Sequence, residues 1–100
     1  MVKEMKKPGV YILRSVKNGR YYVGSTNDVC RRFDEHNSGK VSYTRNTRPW
    51  ILMVFIQCEN IKEAQSSEYK LKKYKRRDIL EKVIGDKMFP WTFSTRTQNN

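Results

Sequence analysis

Two runs rich in apolar and aromatic residues, VYILRSV and RYYVGS, are separated by the dipeptide Asn18-Gly19. This dipeptide favours the positive φ angles of a tight type I′ turn, so the two runs predict a β-hairpin. A two-residue loop would pair Ser15 with Tyr22. Side chains alternate between the faces of a strand, so Tyr11 and Tyr22 are predicted to share a face. The predicted face consists of Tyr11, Leu13, Ser15, Tyr22 and Gly24. This register separates the tyrosines along the ribbon, so twist or a bulge near Gly24 would have to bring them together.

A short helix is predicted after the hairpin. Thr26 or Asn27 can cap its first turn, and Gly39 can end it in the left-handed conformation. On this helix Arg32 and His36 lie four residues apart, beside the apolar stripe rather than opposite it. Both side chains can therefore face a site.

The second half of the chain predicts one more strand and a long helix. Pro49 ends a polar, basic loop, and the apolar run WILMVFIQC that follows predicts the central, doubly covered strand of a three-stranded antiparallel sheet. Asn60 and Glu63 form a capping pattern for a helix that extends to about Ile84. The predicted inward stripe of this helix consists of Ile61, Ala64, Glu68 and Leu71. A carboxylate at a core-facing position is costly unless it is paired or binds a cation.

The fold class predicted from these elements is α/β of the α+β type, a small antiparallel sheet flanked by helices. One hundred residues suffice for a single apolar core. We expect the domain to span residues 1–85 and a C-terminal extension to span residues 86–100. In the extension, Phe89, Trp91 and Phe93 are expected to dock on the core, and the polar end TRTQNN is expected to fray.

The formal charge of +11 arises from 21 Lys and Arg against 10 Asp and Glu, and it predicts a polyanionic partner. Nucleic acid is the commonest such partner, although an anionic membrane surface or plain solubility also fits the charge. Cations expected to contact phosphates without reading sequence are Arg45, Arg48, Lys70, Lys72, Lys73, Lys75, Arg76 and Arg77.

The N-terminal residues MVKEMKKPG do not resemble a signal peptide, and no segment reaches the length of a membrane span. A cytoplasmic protein without a membrane partner is therefore expected. Cys30 and Cys58 lie 28 residues apart without a CxxC pair, so neither a zinc site nor a disulfide is predicted.

The motifs Gly9-Val10-Tyr11 and Tyr22-Val23-Gly24, with ten residues between their tyrosines, resemble the paired motifs of the GIY-YIG nuclease superfamily. Valine replaces isoleucine in both. The segment GSTNDVCRRFDEHNSG resembles the part of the family that carries an arginine and a histidine. The stretch YTRNTRPW and the helical glutamate resemble small stand-alone members and the catalytic subunit of a junction-cutting nuclease.

This resemblance implies a metal-dependent DNA endonuclease, structure-selective rather than sequence-selective, that acts in DNA repair or recombination. The implied catalytic residues are Tyr11, Tyr22, Arg32, His36 and Glu68. Glu68 is the implied ligand of one Mg²⁺ or Mn²⁺ ion. Some members of the family add a late asparagine, for which residues 82–93 contain no counterpart.

These residue types suit phosphodiester hydrolysis. A single carboxylate can hold one hydrated Mg²⁺ ion that also binds phosphate oxygens. The planar guanidinium of Arg32 suits a phosphate and the charge that develops on it. Tyr22 can orient or deprotonate a water molecule, whereas His36 can relay a proton or simply donate a hydrogen bond.

Structural explanations compete at every one of these positions. Strand tyrosines are ordinary core residues, a lone histidine is usually structural, and Glu68 can pair with a neighbouring lysine or arginine. A non-catalytic nucleic-acid-binding protein on the same scaffold is therefore the alternative function, and a basic partner-binding subunit is a third. Branched or flapped DNA, RNA, a protein partner and a second copy of the chain all stay open as partners.

Overall fold

A computed structural model describes residues 6–92, which form a three-stranded antiparallel sheet with helices packed against it. The strands are β1 (Gly9–Ser15), β2 (Tyr21–Thr26) and β3 (Trp50–Gln57). The helices are α1 (Val29–Ser38), α2 (Ile61–Tyr74) and α3 (Arg77–Asp86), and a 3₁₀ turn at Arg45–Thr47 precedes β3. The predicted fold class is confirmed.

The central strand is β1, because the strand order is β2-β1-β3. Its residues Val10 to Leu13 are at most 1% exposed. The prediction that the WILMVFIQC strand is central was wrong: β3 lies at an edge, and Ile51 and Leu52 on it are 46% and 36% exposed. A continuous apolar run predicts a strand but does not determine which strands pair with it.

The sheet separates two apolar clusters. Val10, Ile12 and Val23 pack with Ala64 and Leu71 of α2 on one face. The other face carries Tyr11, Leu13, Val29 and Trp50. Successive residues of β1 thus enter different clusters, as strand alternation requires.

The hairpin pairs two residues out of the predicted register, because Leu13 rather than Ser15 lies opposite Tyr22. Ser15 is instead the last residue of β1, and its hydroxyl accepts the N–H groups of Lys17 and Asn18 in the following loop, each at 3.1 Å. Gly19 closes the loop at a φ of 76°. A register shift of two residues leaves each side chain on its predicted face of the sheet, so Tyr11 and Tyr22 do share a face. It also makes them diagonal neighbours, and no bulge at Gly24 is needed.

Helix α1 begins at a different cap from either predicted residue. Asp28 is the N-cap, and its carboxylate accepts the N–H of Arg31 at 3.1 Å. Thr26 supports this cap by accepting the N–H of Asp28 at 3.0 Å. Gly39 ends the helix with a φ of 86°, as predicted.

The predicted long helix is two helices. Asn60 caps α2 by accepting the N–H of Glu63 at 2.8 Å, as expected, but the helix ends at Tyr74. Lys75 adopts a left-handed conformation with a φ of 51°, and α3 begins at Arg77. No glycine or proline marks this break, so the sequence carries no local signal for it.

The inward stripe of α2 also differs from the prediction. Ala64, Ser67 and Leu71 are buried, whereas Ile61 is 38% exposed. Glu68 lies at the margin of the stripe, with a side chain that is 21% exposed.

Beyond α3, Phe89 is buried and stacks on Trp91 at a ring distance of 4.8 Å, in agreement with the expected docking. Phe93 and the end TRTQNN lie outside the described residues. Cys30 is exposed, Cys58 is buried, and both are free. Within residues 6–92, no helix has the length and apolar content needed to cross a membrane.

Candidate functional site

A buried chain of hydrogen bonds joins β1, α1 and the loop before β3. The Tyr11 hydroxyl lies 2.9 Å from His36 Nε2, and His36 Nδ1 lies 2.8 Å from the Thr44 hydroxyl. All three residues are at most 1% exposed. Thr44 points its own hydroxyl at the Val41 carbonyl oxygen, at 3.5 Å, so it accepts from Nδ1–H and leaves Nε2 to accept the Tyr11 hydroxyl proton. This assignment follows from the hydrogen-bond pattern.

Burial fixes the charge state of this chain. Burial, together with the nearby positive charge of Arg32, lowers the pKa of His36 to about 4. Burial also raises the pKa of Tyr11 to about 12, against the opposing effect of a hydrogen bond with Arg32. At neutral pH the imidazole and the phenol are therefore both uncharged.

Arg32 lies beside Tyr11, and its side chain is 33% exposed. Its Nη1 donates to Glu35 Oε1 at 2.9 Å, and Arg31 holds the other oxygen of Glu35 at 2.8 Å. The hydrogen bond from Arg32, followed by that from Arg31, lowers the pKa of Glu35. Glu35 thus keeps a negative charge that orients the guanidinium, while the arginine remains able to bind an anion.

Tyr22 occupies the centre of an aromatic group on the same side of the sheet. Its ring centroid lies 5.0 Å from that of His36 and 6.3 Å from that of Tyr11. Tyr43 lies at 5.9 Å and Trp50 at 6.3 Å. Tyr22 therefore connects the buried chain to the surface of the molecule.

Glu68 approaches the site around the outer edge of β2. Its Oε1 accepts the Ser25 hydroxyl at 2.6 Å, and its Oε2 accepts Lys72 Nζ at 2.5 Å. The same Nζ lies 5.7 Å from the centroid of the Tyr22 ring. The negative charge of Glu68 is also among the effects that raise the pKa of Tyr11. The five predicted site residues therefore meet in one place.

Glu68 is the residue that could hold a metal ion here. Across residues 6–92 no group of three His, Cys, Asp or Glu side chains could hold one. The donors beside the site are hard oxygens, one carboxylate and the Ser25 hydroxyl, which suit an ion that keeps most of its water and completes its shell with phosphate oxygens. Lys72 already places a positive charge on Oε2, so this position accepts a cation.

The glycines of the paired motifs are required by close ring contacts. A Cβ atom at Gly24 would lie 2.4 Å from the Tyr11 hydroxyl oxygen and 2.5 Å from its Cζ. A Cβ atom at Gly9 would lie 2.4 Å from the Ile56 carbonyl oxygen and 2.5 Å from the Phe55 ring. Gly24 is the cross-strand partner of Tyr11, so the tyrosine ring rests on the bare backbone of β2.

The structure separates the predicted phosphate-binding cations into different surfaces. A groove of about 680 Å³, here called the basic groove, opens beside Tyr22. Its lining comprises Arg20, Tyr21, Tyr22, Val23, Tyr43, Leu71, Lys72, Lys75, Arg76, Arg77 and Leu80. Four of the predicted cations therefore lie beside the site.

The remaining predicted cations lie elsewhere. Lys70 lies over the Trp91 ring at 5.0 Å and Lys73 over the Tyr69 ring at 4.8 Å. Arg45 and Arg48 line a separate depression next to Asn37.

Ser25, Thr44 and Tyr43 are site residues that the sequence prediction missed. Ser25 directly follows the second motif, but the strand pattern gives no sign that α2 brings a carboxylate to it. Thr44 and Tyr43 lie in the loop YTRNTRPW, whose resemblance to other nucleases was the available signal.

Residues 7–82 match the sequence model of the GIY-YIG catalytic domain. The chain belongs to the GIY-YIG family. GIY-YIG domains are nuclease domains that act on nucleic acid and generally depend on a divalent metal ion.

Among curated relatives, a UPF0213 protein of Clostridium perfringens is 41% identical over 75 residues, covering 74% of this chain and 80% of the relative. A UPF0213 protein of Halalkalibacterium halodurans is 38% identical over 88 residues, covering 87% and 92%. One from Listeria monocytogenes is 39% identical over 69 residues, covering 68% and 76%. No solved structure matches the chain significantly.

Proposed function

We propose that this GIY-YIG protein is a metal-dependent DNA endonuclease that selects its substrate by shape and acts in DNA repair or recombination. The observation that carries the proposal is the meeting of Arg32, Glu68 and the buried Tyr11–His36–Thr44 chain around Tyr22. Phosphate positioning, charge stabilisation and a cation-accepting carboxylate are what phosphodiester cleavage needs.

Arg32 is the group that binds the scissile phosphate. Its guanidinium is held by Glu35 on one side and lies against Tyr11 on the other, so it is oriented before substrate arrives. A planar donor fixed in this way can stabilise the extra charge on the phosphoryl oxygens in the transition state. Because the guanidinium is already oriented, it does not have to move as the charge develops during the reaction.

The two motif tyrosines take different roles. With a pKa of about 12 and its proton donated to neutral His36, Tyr11 is a positioning group that keeps Arg32 in place. Tyr22 lies nearer the surface and is the phenol that can accept a hydrogen bond from the attacking water. Its hydroxyl oxygen therefore orients the nucleophile.

Glu68 is the residue that holds the divalent ion, Mg²⁺ or Mn²⁺. When bound, such an ion polarises the phosphate and relieves charge on the leaving oxygen. Ser25 orients the carboxylate by donating to Oε1, and Lys72 on Oε2 neutralises the carboxylate before the ion binds.

The test compares cleavage of labelled single-stranded, duplex, flap and four-way-junction DNA with Mg²⁺, Mn²⁺ or EDTA. Glu68→Gln keeps the shape of the side chain and removes its charge, and we expect it to reduce cleavage at least about 100-fold while DNA binding persists. Glu59→Gln makes the same change at an exposed position outside the site and should cut normally.

Two outcomes of this experiment would contradict the proposal. Cleavage that survives in Glu68→Gln would remove Glu68 as the metal ligand. Tight, salt-dependent DNA binding by the wild-type protein without cleavage under any condition would support the non-catalytic scaffold instead.

A further inference from the structure

Tyr43 is a large aromatic side chain with almost no packing. It is 83% exposed, more than any other large hydrophobic residue described in residues 6–92. Its ring lies 5.9 Å from that of Tyr22 and borders the basic groove. It also borders a second, smaller depression of about 280 Å³ near Trp50. An exposed ring between two depressions, beside the catalytic tyrosine, is available to stack on a ligand.

We propose that Tyr43 and the basic groove bind an unpaired nucleobase next to the scissile phosphate. This inference rests on the proposed function and adds the substrate class: DNA that is single-stranded, or has an unpaired end, at the cleavage position.

The lining of the groove fits a nucleotide better than a bare phosphate. Its floor is apolar, formed by Val23, Leu71 and Leu80, and the Arg77 guanidinium lies over the ring of Tyr21 at 4.5 Å. Its rim is cationic, with Lys72 and Lys75 on the α2 side. Phosphate contacts alone require only the cations. An apolar floor with a cationic rim matches a flat base that carries a phosphate at its edge.

Stacking on Tyr43 excludes a base that remains in a duplex. The faces of a paired base are covered by its neighbours in the stack, so a protein ring reaches them only in a single strand or after the base is turned out. Tyr22 closes one side of Tyr43, so the base would lie within reach of the site where Arg32 binds phosphate.

The experiment uses the full chain carrying Glu68→Gln, so that binding is measured without cleavage. Oligonucleotides contain 2-aminopurine at single positions, because its fluorescence reports stacking, and are offered as single strand, flap and continuous duplex at fixed salt. Tyr43→Ala is expected to weaken binding of the single strand and the flap about tenfold and to leave duplex affinity within about twofold. Tyr43→Trp is expected to restore both binding and the position-specific fluorescence change.

Tyr69→Ala is the matched control. Tyr69 is also an exposed tyrosine, at 64%, but its ring contacts Lys73 and does not line the basic groove. Equal losses for Tyr43→Ala and Tyr69→Ala, or an equal loss on single strand and duplex, would overturn the proposal. Thermal unfolding of each variant verifies that the fold is intact.

The two proposals fail differently. If the wild-type protein cuts continuous duplex as well as flaps and Tyr43→Ala changes nothing, the base site is refuted and the nuclease stands. If no DNA is cut but the 2-aminopurine signal depends on Tyr43, the endonuclease is refuted and the base site stands.

Discussion

Replacing Gly24 with alanine places a methyl group 2.4 Å from the Tyr11 hydroxyl oxygen and 2.5 Å from Cζ of the same ring. The ring cannot yield easily, because Tyr11 is 1% exposed and hydrogen-bonded to His36. Overpacking a core costs about 1–3 kcal/mol, and displacing the hydroxyl from His36 adds about 1 kcal/mol. We expect Gly24→Ala to lower the free energy of unfolding by about 3 kcal/mol.

For a domain of this size, that loss lowers the melting temperature by roughly 12–24 °C. Urea and thermal unfolding followed by circular dichroism measure it. Gly85→Ala is the matched control: no atom lies within 4 Å of the added Cβ, and alanine should stabilise α3 by about 0.5–1 kcal/mol. The two substitutions thus have opposite expected signs.

A double-mutant cycle isolates the cause. In a Tyr11→Ala background the ring is gone, so Gly24→Ala should be close to neutral. The reasoning is refuted if Gly24→Ala leaves the free energy of unfolding of the wild-type chain unchanged, or if it lowers that free energy equally with and without the Tyr11 ring. In either case, contact with the ring would not be the reason that position 24 requires glycine.

Three further outcomes are expected. The pKa of His36 is lowered from 6.5 to about 4 in the folded state, so the unfolded chain binds the proton first as pH falls. The free energy of unfolding is therefore highest above pH 6.5 and falls by about 3 kcal/mol as the pH is lowered to 4. His36→Gln should lose less over that range in urea unfolding, and parallel curves would contradict the assignment. Lys72→Met removes the ammonium from Glu68 and should tighten Mn²⁺ binding without DNA about tenfold by calorimetry, whereas Lys62→Met should not; unchanged affinity would refute the competition. Lys75→Ala should reduce the slope of log affinity against log salt by about 0.9 in DNA titrations, and an equal reduction in Lys62→Ala would show that position in the groove is irrelevant.

The elements of the fold with strong local signals were predictable. Asn60 and Gly39 have capping preferences that act within one turn, and as expected Asn60 begins α2 and Gly39 ends α1. The hairpin was predicted, but its register was not, because the Ser15 hydroxyl competes for the turn's N–H groups and opens a wider loop. The position of β3 depends on pairing between distant segments, which a strand's own composition does not encode.

The site was predictable to the extent that motifs mark it. Tyr11 and Tyr22 share a face by parity alone, and the choice of Arg32 over Arg31 agrees with side-chain exposures of 33% and 53%. Thr44 could not be assigned to His36, nor Ser25 to Glu68, because those contacts join segments brought together only by the folded sheet.

The left-handed residue Lys75 has a consequence for the whole charged surface. In a straight helix, Arg77 would lie about 14 Å along the axis from Glu68. The turn instead lets its guanidinium donate to the Gly19 carbonyl oxygen at 3.0 Å and cover the Tyr21 ring at 4.5 Å. The beginning of α3 is thereby anchored to the hairpin that carries Tyr22. Two residues outside helical geometry, Lys75 and Arg76, turn the charged segment towards the hairpin beside the candidate site, so the reach of these cations is set by backbone shape as much as by their number.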